Sequence, residues 1–227
     1  MQNAAAAIVR TVAGAAAVSV AFGAPALGDD AAARTIVDAV AARTTSVSSY
    51  TASVSLHVAM HSFPFIRATI SGSTSYQRPG RYSLRMRTLP VIAGAFQNVS
   101  GDAGDPTVWR RNYIITLDRA ADVSQGQVAL RMTQRQHGQI EHAEAFIDTA
   151  TMTVTRMEWF YANGGHIAVD YRYISIGSIF MIDQQSAEIS MPGIRASATA
   201  QMSDYSMQID LADRTPAHAG TVGSEQQ

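Results

Sequence analysis

The chain of 227 residues contains no cysteine and no lysine, and only 15% of its residues are charged. Without cysteine it can form neither disulfide bonds nor thiolate metal sites, and it lacks the residue that lipid modification of a mature N-terminus requires. Its 17 basic residues are therefore all arginine, and the formal net charge is −1. Because binding to nucleic acid requires an excess of basic charge, we expect no nucleic-acid partner.

Sequence patterns typical of enzymes and metal sites are also missing. The chain has no G-x-S-x-G nucleophile elbow, no glycine-rich phosphate loop and no H-E-x-x-H motif. His57 and His61 share one face of a predicted strand, but four residues of strand separate them by about 13 Å, too far to bind one metal ion. We therefore expect no catalytic residue, no metal and no cofactor. An enzyme built from distant residues stays open as an alternative, because catalytic triads depend on geometry rather than on spacing.

The first 28 residues have the layout of a secretory signal peptide. Arg10 precedes a run of small apolar residues, and the segment Ala26-Leu27-Gly28 fits the small-x-small pattern of a cleavage site. We expect cleavage after Gly28 and export to the periplasm or the extracellular space, with an uncleaved anchor as the alternative. Residues 29–209 are then long enough for one domain that relies on its core. The polar residues 210–227 are predicted to form a flexible tail.

The dominant feature that the chain does contain is strict alternation of apolar and polar residues. Residues 50–60 read Y-T-A-S-V-S-L-H-V-A-M, so every second side chain is apolar or aromatic. This pattern predicts a strand with one face in water and one face against apolar material. Further strands are predicted at residues 66–76, 81–87, 108–117, 127–134, 139–147, 151–161, 166–174, 178–190 and 194–209.

One helix is predicted before the strands, over residues 29–43. Ala33, Ile36, Val37 and Val40 recur at helical spacing and form a narrow apolar stripe. About ten sequential antiparallel strands must curl, close or pack in two layers. With a single helix available, we predict an α+β fold that is predominantly antiparallel β. The expected architecture is a curled, unclosed half-barrel with a concave apolar interior.

Two segments resemble a known family. Residues 42–56 read A-R-T-T-S-V-S-S-Y-T-A-S-V-S-L, and residues 76–84 read Y-Q-R-P-G-R-Y-S-L. They are similar to the polar helix end, the Tyr-led first strand and the Pro-Gly turn of outer-membrane lipoprotein-sorting proteins, the LolA/LolB-like superfamily. The resemblance is architectural and extends over residues 29–209. It implies an unclosed antiparallel barrel with helices at its mouth, which binds acyl chains of lipoproteins or other lipids in the cell envelope.

We therefore predict an exported carrier that shields a lipid or a lipoprotein acyl chain on the apolar faces of its strands. Leu56, Leu84 and Met86 are the candidate pocket residues on the strands. Phe96 is the candidate from the apolar insert at residues 89–96, which is predicted to act as a lid or plug. Burial of each methylene contributes about 0.8 kcal/mol, so such binding needs no specific polar contact.

The expected partners are a lipid or an acylated protein, together with contact to a membrane surface. The sequence leaves the ligand, the direction of transfer and the oligomeric state open. The main alternative is an envelope sensor or protein-interaction module whose sheet is filled by its own side chains. An envelope enzyme with a barrel pocket is a further alternative.

Overall fold

The computed structural model describes residues 29–44, 47–63, 65–78, 81–86, 106–136, 138–177 and 179–209. The predicted signal peptide, the apolar insert with Phe96 and the C-terminal tail lie outside these described residues. No helix within them is long and apolar enough to cross a membrane. The helices are α1 (Asp29–Thr44) and α2 (Trp109–Asn112), and the strands are β1 (Val47–Met60), β2 (Arg67–Gln77), β3 (Arg81–Met86), β4 (Tyr113–Asp118), β5 (Gln127–Gln134), β6 (Ile140–Asp148), β7 (Thr153–Tyr161), β8 (His166–Ile176), β9 (Ile179–Met191) and β10 (Ile194–Ile209).

All ten strands belong to one antiparallel sheet. Their order is β3-β2-β1-β10-β9-β8-β7-β6-β5-β4, so strands that are consecutive in sequence are neighbours except for β3 and β4, and the first strand β1 pairs with the last strand β10. The edge strands β3 and β4 are separated by the whole width of the sheet, which is therefore open. The predicted fold, a predominantly antiparallel, unclosed sheet with an N-terminal helix, is confirmed.

Alternation places the side chains of β1 as the sequence predicts. Tyr50, Val54 and Leu56 are buried, while Ser53 and His57 are exposed. The same strand pairs in register with β2 on one side and with β10 on the other. A slip of one residue would turn every apolar side chain of β1 toward water, so burial of one face fixes this register.

The strand predicted at residues 108–117 is wrong at its beginning. Residues Pro106–Val108 form a 3-10 turn that continues into α2, and β4 starts only at Tyr113. Trp109 is fully buried in the core, and the carbonyl of Asn112 accepts a hydrogen bond from the backbone N–H of Arg135 at 2.9 Å. The helical turn is thus stabilised by tertiary packing of its tryptophan, which alternation in the sequence does not reveal.

The core lies between α1 and one face of the sheet, which we call the inner face. The apolar stripe of α1 packs against β4 and β7, and it shares a single cluster of buried residues with the inward side chains of the strands. Each fully buried side chain of this kind contributes about 1.5–3 kcal/mol. The inner-face members include Leu56, Leu130, Met132, Met157, Val169, Ala187 and Ala200.

Candidate functional site

Three successive inward positions of β10 are alanine. Ala196, Ala198 and Ala200 are all buried, with exposed fractions of 1%, 5% and 0%. Four residues of strand separate the first from the last, which corresponds to a length of about 13 Å. We call this strip the alanine groove.

The walls of the alanine groove are set by the register of the neighbouring strands. Side chains directly opposite each other in an antiparallel pair have Cβ atoms about 5 Å apart, so the partners of the three alanines lie directly beside them. On the β1 side these partners are Met60, Val58 and Leu56. On the β9 side they are Ile189, Ala187 and Gln185. The groove is therefore apolar along its length and has one amide at its end.

Gln185 is the polar residue of this arrangement. Its side chain has no exposure to solvent, and neither Nε2 nor Oε1 has a hydrogen-bond partner among the described residues. It lies opposite Ala200 of β10 on one side and opposite Tyr171 of β8 on the other. A buried polar group without a partner costs about 1–3 kcal/mol, so this residue weakens the fold unless something else completes its hydrogen bonds.

A cluster of tyrosines lies beyond Gln185, at the far end of the groove. The ring of Tyr50 lies 5.7 Å from those of Tyr76 and Tyr205. The hydroxyl of Tyr205 donates to the carbonyl of Ile182 at 2.5 Å. Burial raises the pKa of Tyr50 and of Tyr205 far above the ordinary value, so both stay protonated. This end of the inner face is closed by hydrogen-bonded aromatic packing.

The predicted pocket residues occupy the same face but not the same place. Leu56 lies in the wall of the alanine groove. Leu84 and Met86 are half-buried on the edge strand β3, two strands beyond β1. The sulfur of Met86 lies 2.6 Å from the position that a Cβ at Gly72 would occupy, so this side chain covers the glycine. Phe96 lies outside the described residues, and a ligand-binding role for all four stays a prediction.

Sequence reasoning missed the alanine groove and its amide. The pattern A-x-A-x-A at residues 196–200 was the available signal, because it places three minimal side chains on one face of a strand. Gln185 gave a weaker signal, as a polar residue two positions before the inward Ala187. Neither is visible until the register shows which strands lie beside β10.

The opposite end of the groove leads to the hairpin between β1 and β2, where two large aromatic side chains face water. Phe63 is 85% exposed and Phe65 is 76% exposed. The backbone N–H of His61 donates to the carbonyl of Arg195 at 2.7 Å, and the N–H of Arg195 donates to Ser62 Oγ at 3.0 Å. The hairpin is thus braced against the turn between β9 and β10. We call Phe63 and Phe65 the aromatic tip.

Two exposed arginines, Arg67 and Arg195, flank the aromatic tip. The hairpin residues 61–67 and the turn residues 191–195 contain no Asp or Glu. Exposed aromatic rings beside arginines are typical of a surface that meets the headgroup region of an anionic membrane.

The outer face holds an ion-pair network rather than an apolar surface. Arg156 bonds Glu158 at 2.5 Å and Asp170 at 2.8 Å, and His166 Nε2 lies 2.8 Å from the second oxygen of Glu158. Burial alone would raise the pKa of Glu158, but hydrogen bonds from Arg156 and His166 outweigh it, so the pKa lies below its ordinary value. These contacts join β7 to β8 and stabilise the sheet.

His57 of β1 and His61, which directly follows β1, make separate polar contacts. His57 Nδ1 lies 2.8 Å from Thr69 Oγ1 of β2, and His61 Nε2 lies 2.9 Å from Ser197 Oγ of β10. Among the residues that the structure describes, no three His, Asp or Glu side chains are grouped so that they could hold a metal ion. Each of these two histidines thus forms a hydrogen bond to a neighbouring strand.

Comparison with known proteins identifies the architecture. No family model matches the chain, and no curated protein matches it. A crystal structure of a DUF1329 family protein from Desulfovibrio piger matches with a TM-score of 0.59 and 11% identity, covering 82% of this chain and 96% of that chain. A LolA superfamily protein from Nitrosomonas europaea matches with a TM-score of 0.51 and 10% identity over 78% of this chain and 93% of the other.

A third solved structure is a domain assigned as an outer membrane lipoprotein-sorting protein from Vibrio parahaemolyticus. It matches with a TM-score of 0.53 and 10% identity over 80% of this chain and 95% of that chain. At such low identity the likeness concerns the fold alone. The chain therefore has a LolA-like fold, as the resemblance of its first strand and Pro-Gly turn implied.

Proposed function

We propose that this protein is an exported carrier of the cell envelope that binds an acyl chain in the alanine groove and shields it from water. The observation that carries the proposal is the strip of three alanines between apolar walls on the inner face of an open sheet. An extended chain can lie along such a strip, because floor side chains that end at Cβ leave it depth. The lipoprotein-sorting assignment of one structural neighbour supports the same class of ligand.

The energetics of such a site are favourable without polar contacts. Eight methylenes removed from water contribute about 6 kcal/mol. Part of this free energy offsets the cost of ordering the chain, so the expected Kd of a single chain lies between about 40 μM and about 1 mM. Weak binding of this kind suits a carrier, which must also release its ligand.

Binding requires the inner face to open. The three alanines are buried, so in this structure the groove is closed to water. An occupant must displace whatever packs against them. We propose that the apolar insert with Phe96 or the N-terminal helix α1 moves for this purpose, and that Leu84 and Met86 on the edge strand β3 contact the chain as it enters.

Delivery requires a surface that meets the membrane, and the aromatic tip provides one. It follows Met60 directly along the chain, and Met60 forms the wall of the groove opposite Ala196. Phe63 and Phe65 would enter the headgroup region while Arg67 and Arg195 lie near anionic lipid. The proposed path of an acyl chain thus runs from the groove to the tip at the same end of the sheet.

A groove-filling substitution tests the carrier function. Ala198→Leu places three additional carbons on the floor and should abolish displacement of the apolar probe N-phenyl-1-naphthylamine by dodecanoic acid. Thr199→Leu, the next residue on the outer face of β10, is the matched control and should leave displacement unchanged. Because overpacking can destabilise by about 1–3 kcal/mol, the melting temperature is measured with each variant, and Ala198→Val serves if Ala198→Leu does not fold.

The alternative of a filled interaction module has one observation in its favour, since Leu130, Met132 and Ala200 have no exposed surface at all. Native mass spectrometry of protein purified from its own host separates the two functions. A bound lipid supports the carrier. A ligand-free protein that also fails to bind dodecanoic acid would contradict the carrier and favour the module.

A further inference from the structure

The buried amide at the end of the alanine groove makes no hydrogen bond within the part of the chain that the structure describes. This holds for both polar atoms of Gln185. The adjacent Gln184 on the outer face shows the ordinary behaviour, because its Nε2 donates to Ser186 Oγ at 2.9 Å. The two adjacent glutamines thus differ, because the inward one lacks the hydrogen bonds that its amide group can form.

Stability alone does not account for glutamine at this position. In folded proteins the large majority of buried side-chain polar atoms have a partner, and removing an unpartnered one in favour of an apolar group of the same shape stabilises. Methionine has nearly the length of glutamine and would fill the same space beside Ala200 and Tyr171. The amide therefore costs the fold stability that a methionine at this position would not.

The chemistry of the missing partner follows from the two free atoms. Nε2 must donate to an acceptor, and Oε1 must accept from a donor. A simple ester offers an acceptor only, and a hydrocarbon offers neither. A primary amide or a protonated carboxylic acid offers a carbonyl and an N–H or O–H side by side, so it can form both hydrogen bonds with one carboxamide.

We propose that Gln185 anchors the head group of a free single-chain amphiphile, a primary fatty amide or a protonated fatty acid, whose tail lies along the alanine groove. This inference rests on the proposed function and narrows its ligand class. The head lies at Gln185 and the tail extends past Ala200 and Ala196 toward the aromatic tip. An acyl chain attached to a protein enters with its methyl end first, so it cannot bring its carbonyl to this amide.

The test compares Gln185→Met with the matched control Gln184→Met. Dodecanamide, dodecanoic acid and methyl dodecanoate are titrated against N-phenyl-1-naphthylamine bound to the full chain. The loss of two hydrogen bonds should weaken dodecanamide about tenfold in Gln185→Met. The affinity for methyl dodecanoate should fall by less than half as much on a logarithmic scale. Gln184→Met should change the affinity for neither ligand.

The acid distinguishes the two head groups. It is measured below and above its own pKa, because only the protonated form can donate to Oε1. If Gln185→Met weakens the binding of dodecanoic acid at low pH but not at high pH, the protonated acid is a ligand of the same site. If Gln185→Met has no effect on the acid at either pH, the primary amide is the only one of the two head groups that Gln185 binds.

Failure of the anchor and failure of the carrier give different results. Equal weakening of all three ligands by Gln185→Met, or no weakening, overturns the anchor and leaves the groove in place. A wild-type protein from which none of the three displaces the probe overturns the carrier and the anchor together. Without ligand, Gln185→Met should melt at a higher temperature than wild type, and Gln185→Leu replaces it if it does not fold. A lower melting temperature for both variants would show that the amide has partners in the fold and would also overturn the anchor.

Discussion

Replacing both rings of the aromatic tip tests whether this end of the sheet meets a membrane. Phe63 and Phe65 expose 85% and 76% of their surface, so almost all of their apolar area is available for transfer from water. Burial of a whole phenylalanine side chain is worth about 1.5–3 kcal/mol. Weighted by these exposed fractions, complete burial of both rings would contribute about 2.5–5 kcal/mol.

The headgroup region dehydrates a ring only in part, so we expect about half of that value. The double variant Phe63→Ser/Phe65→Ser should therefore bind vesicles roughly 8- to 60-fold more weakly, since each 1.4 kcal/mol is a factor of ten. The measurement is co-sedimentation with vesicles of phosphatidylcholine and phosphatidylglycerol. Because Arg67 and Arg195 flank the tip, binding should also fall when phosphatidylglycerol is omitted or when salt is raised.

The matched control is Ile114→Ser, which removes another exposed apolar side chain, 52% exposed on the edge strand β4. Surface substitutions of this kind change stability by less than about 0.5 kcal/mol, so all variants should melt together. An equal loss of vesicle binding in the control would show that total apolar exposure, rather than the tip, drives binding. Wild-type protein that stays in the supernatant at every lipid concentration would refute the reasoning outright.

Three further substitutions probe the sheet itself. Gly72→Ala should destabilise by about 1–3 kcal/mol in urea, because its Cβ would collide with the Arg85 carbonyl and with Met86 Sδ. Tyr205→Phe should lower the free energy of unfolding by about 1–3 kcal/mol, because the buried acceptor at Ile182 loses its donor. Glu158→Gln should destabilise by about 1–2 kcal/mol at pH 7, and this difference should vanish in acid.

The sign of the acid effect follows from the lowered pKa of Glu158 in the folded protein. A carboxyl group of this kind contributes stability above its ordinary pKa of about 4.3, and the contribution is lost as pH falls through the lowered value. Wild type and Glu158→Gln should therefore converge at the lowest pH. Glu188→Gln, an exposed carboxylate on β9, is the control and should match wild type throughout. Parallel curves for Glu158→Gln and wild type would contradict the assignment of the Arg156 and His166 contacts as stabilising.

The helix and most strands could be predicted from the sequence because one physical rule produces them. Alternation at period two predicts which residues form a strand with one buried face. For β5 and β10 both the first and the last residue were predicted correctly. It says nothing about which strand lies beside which. The pairing of β1 with β10 joins residues about 150 positions apart, and every strand of this chain carries the same alternation.

The site was harder to predict for the same reason. Leu56 was recognisable as an inward residue, but its position in a groove depends on the alanines that β10 places beside it. Gln185 lies two residues from Asp183, where the pairing of β9 with β8 shifts register. Alternation from the inward Ile189 places Ala187 and Gln185 on the inner face as well. The same rule would place Asp183 on the inner face, but its carboxylate bonds Arg172 and Gln201 instead. Only the pairing with Ala200 and Tyr171 settles the orientation.

Each end of the alanine groove has side chains in an unfavourable environment. At one end an amide is buried without a hydrogen-bond partner in the described ranges of the chain, and at the other end two aromatic rings are exposed to water. Each lowers the stability or the solubility of the isolated protein, and each would be removed by one ordinary substitution. An amphiphile in the groove would complete the hydrogen bonds of Gln185, and a bilayer at the tip would cover Phe63 and Phe65. A protein that only folds has no use for either feature, whereas a protein that takes a free amphiphile from a membrane surface uses both.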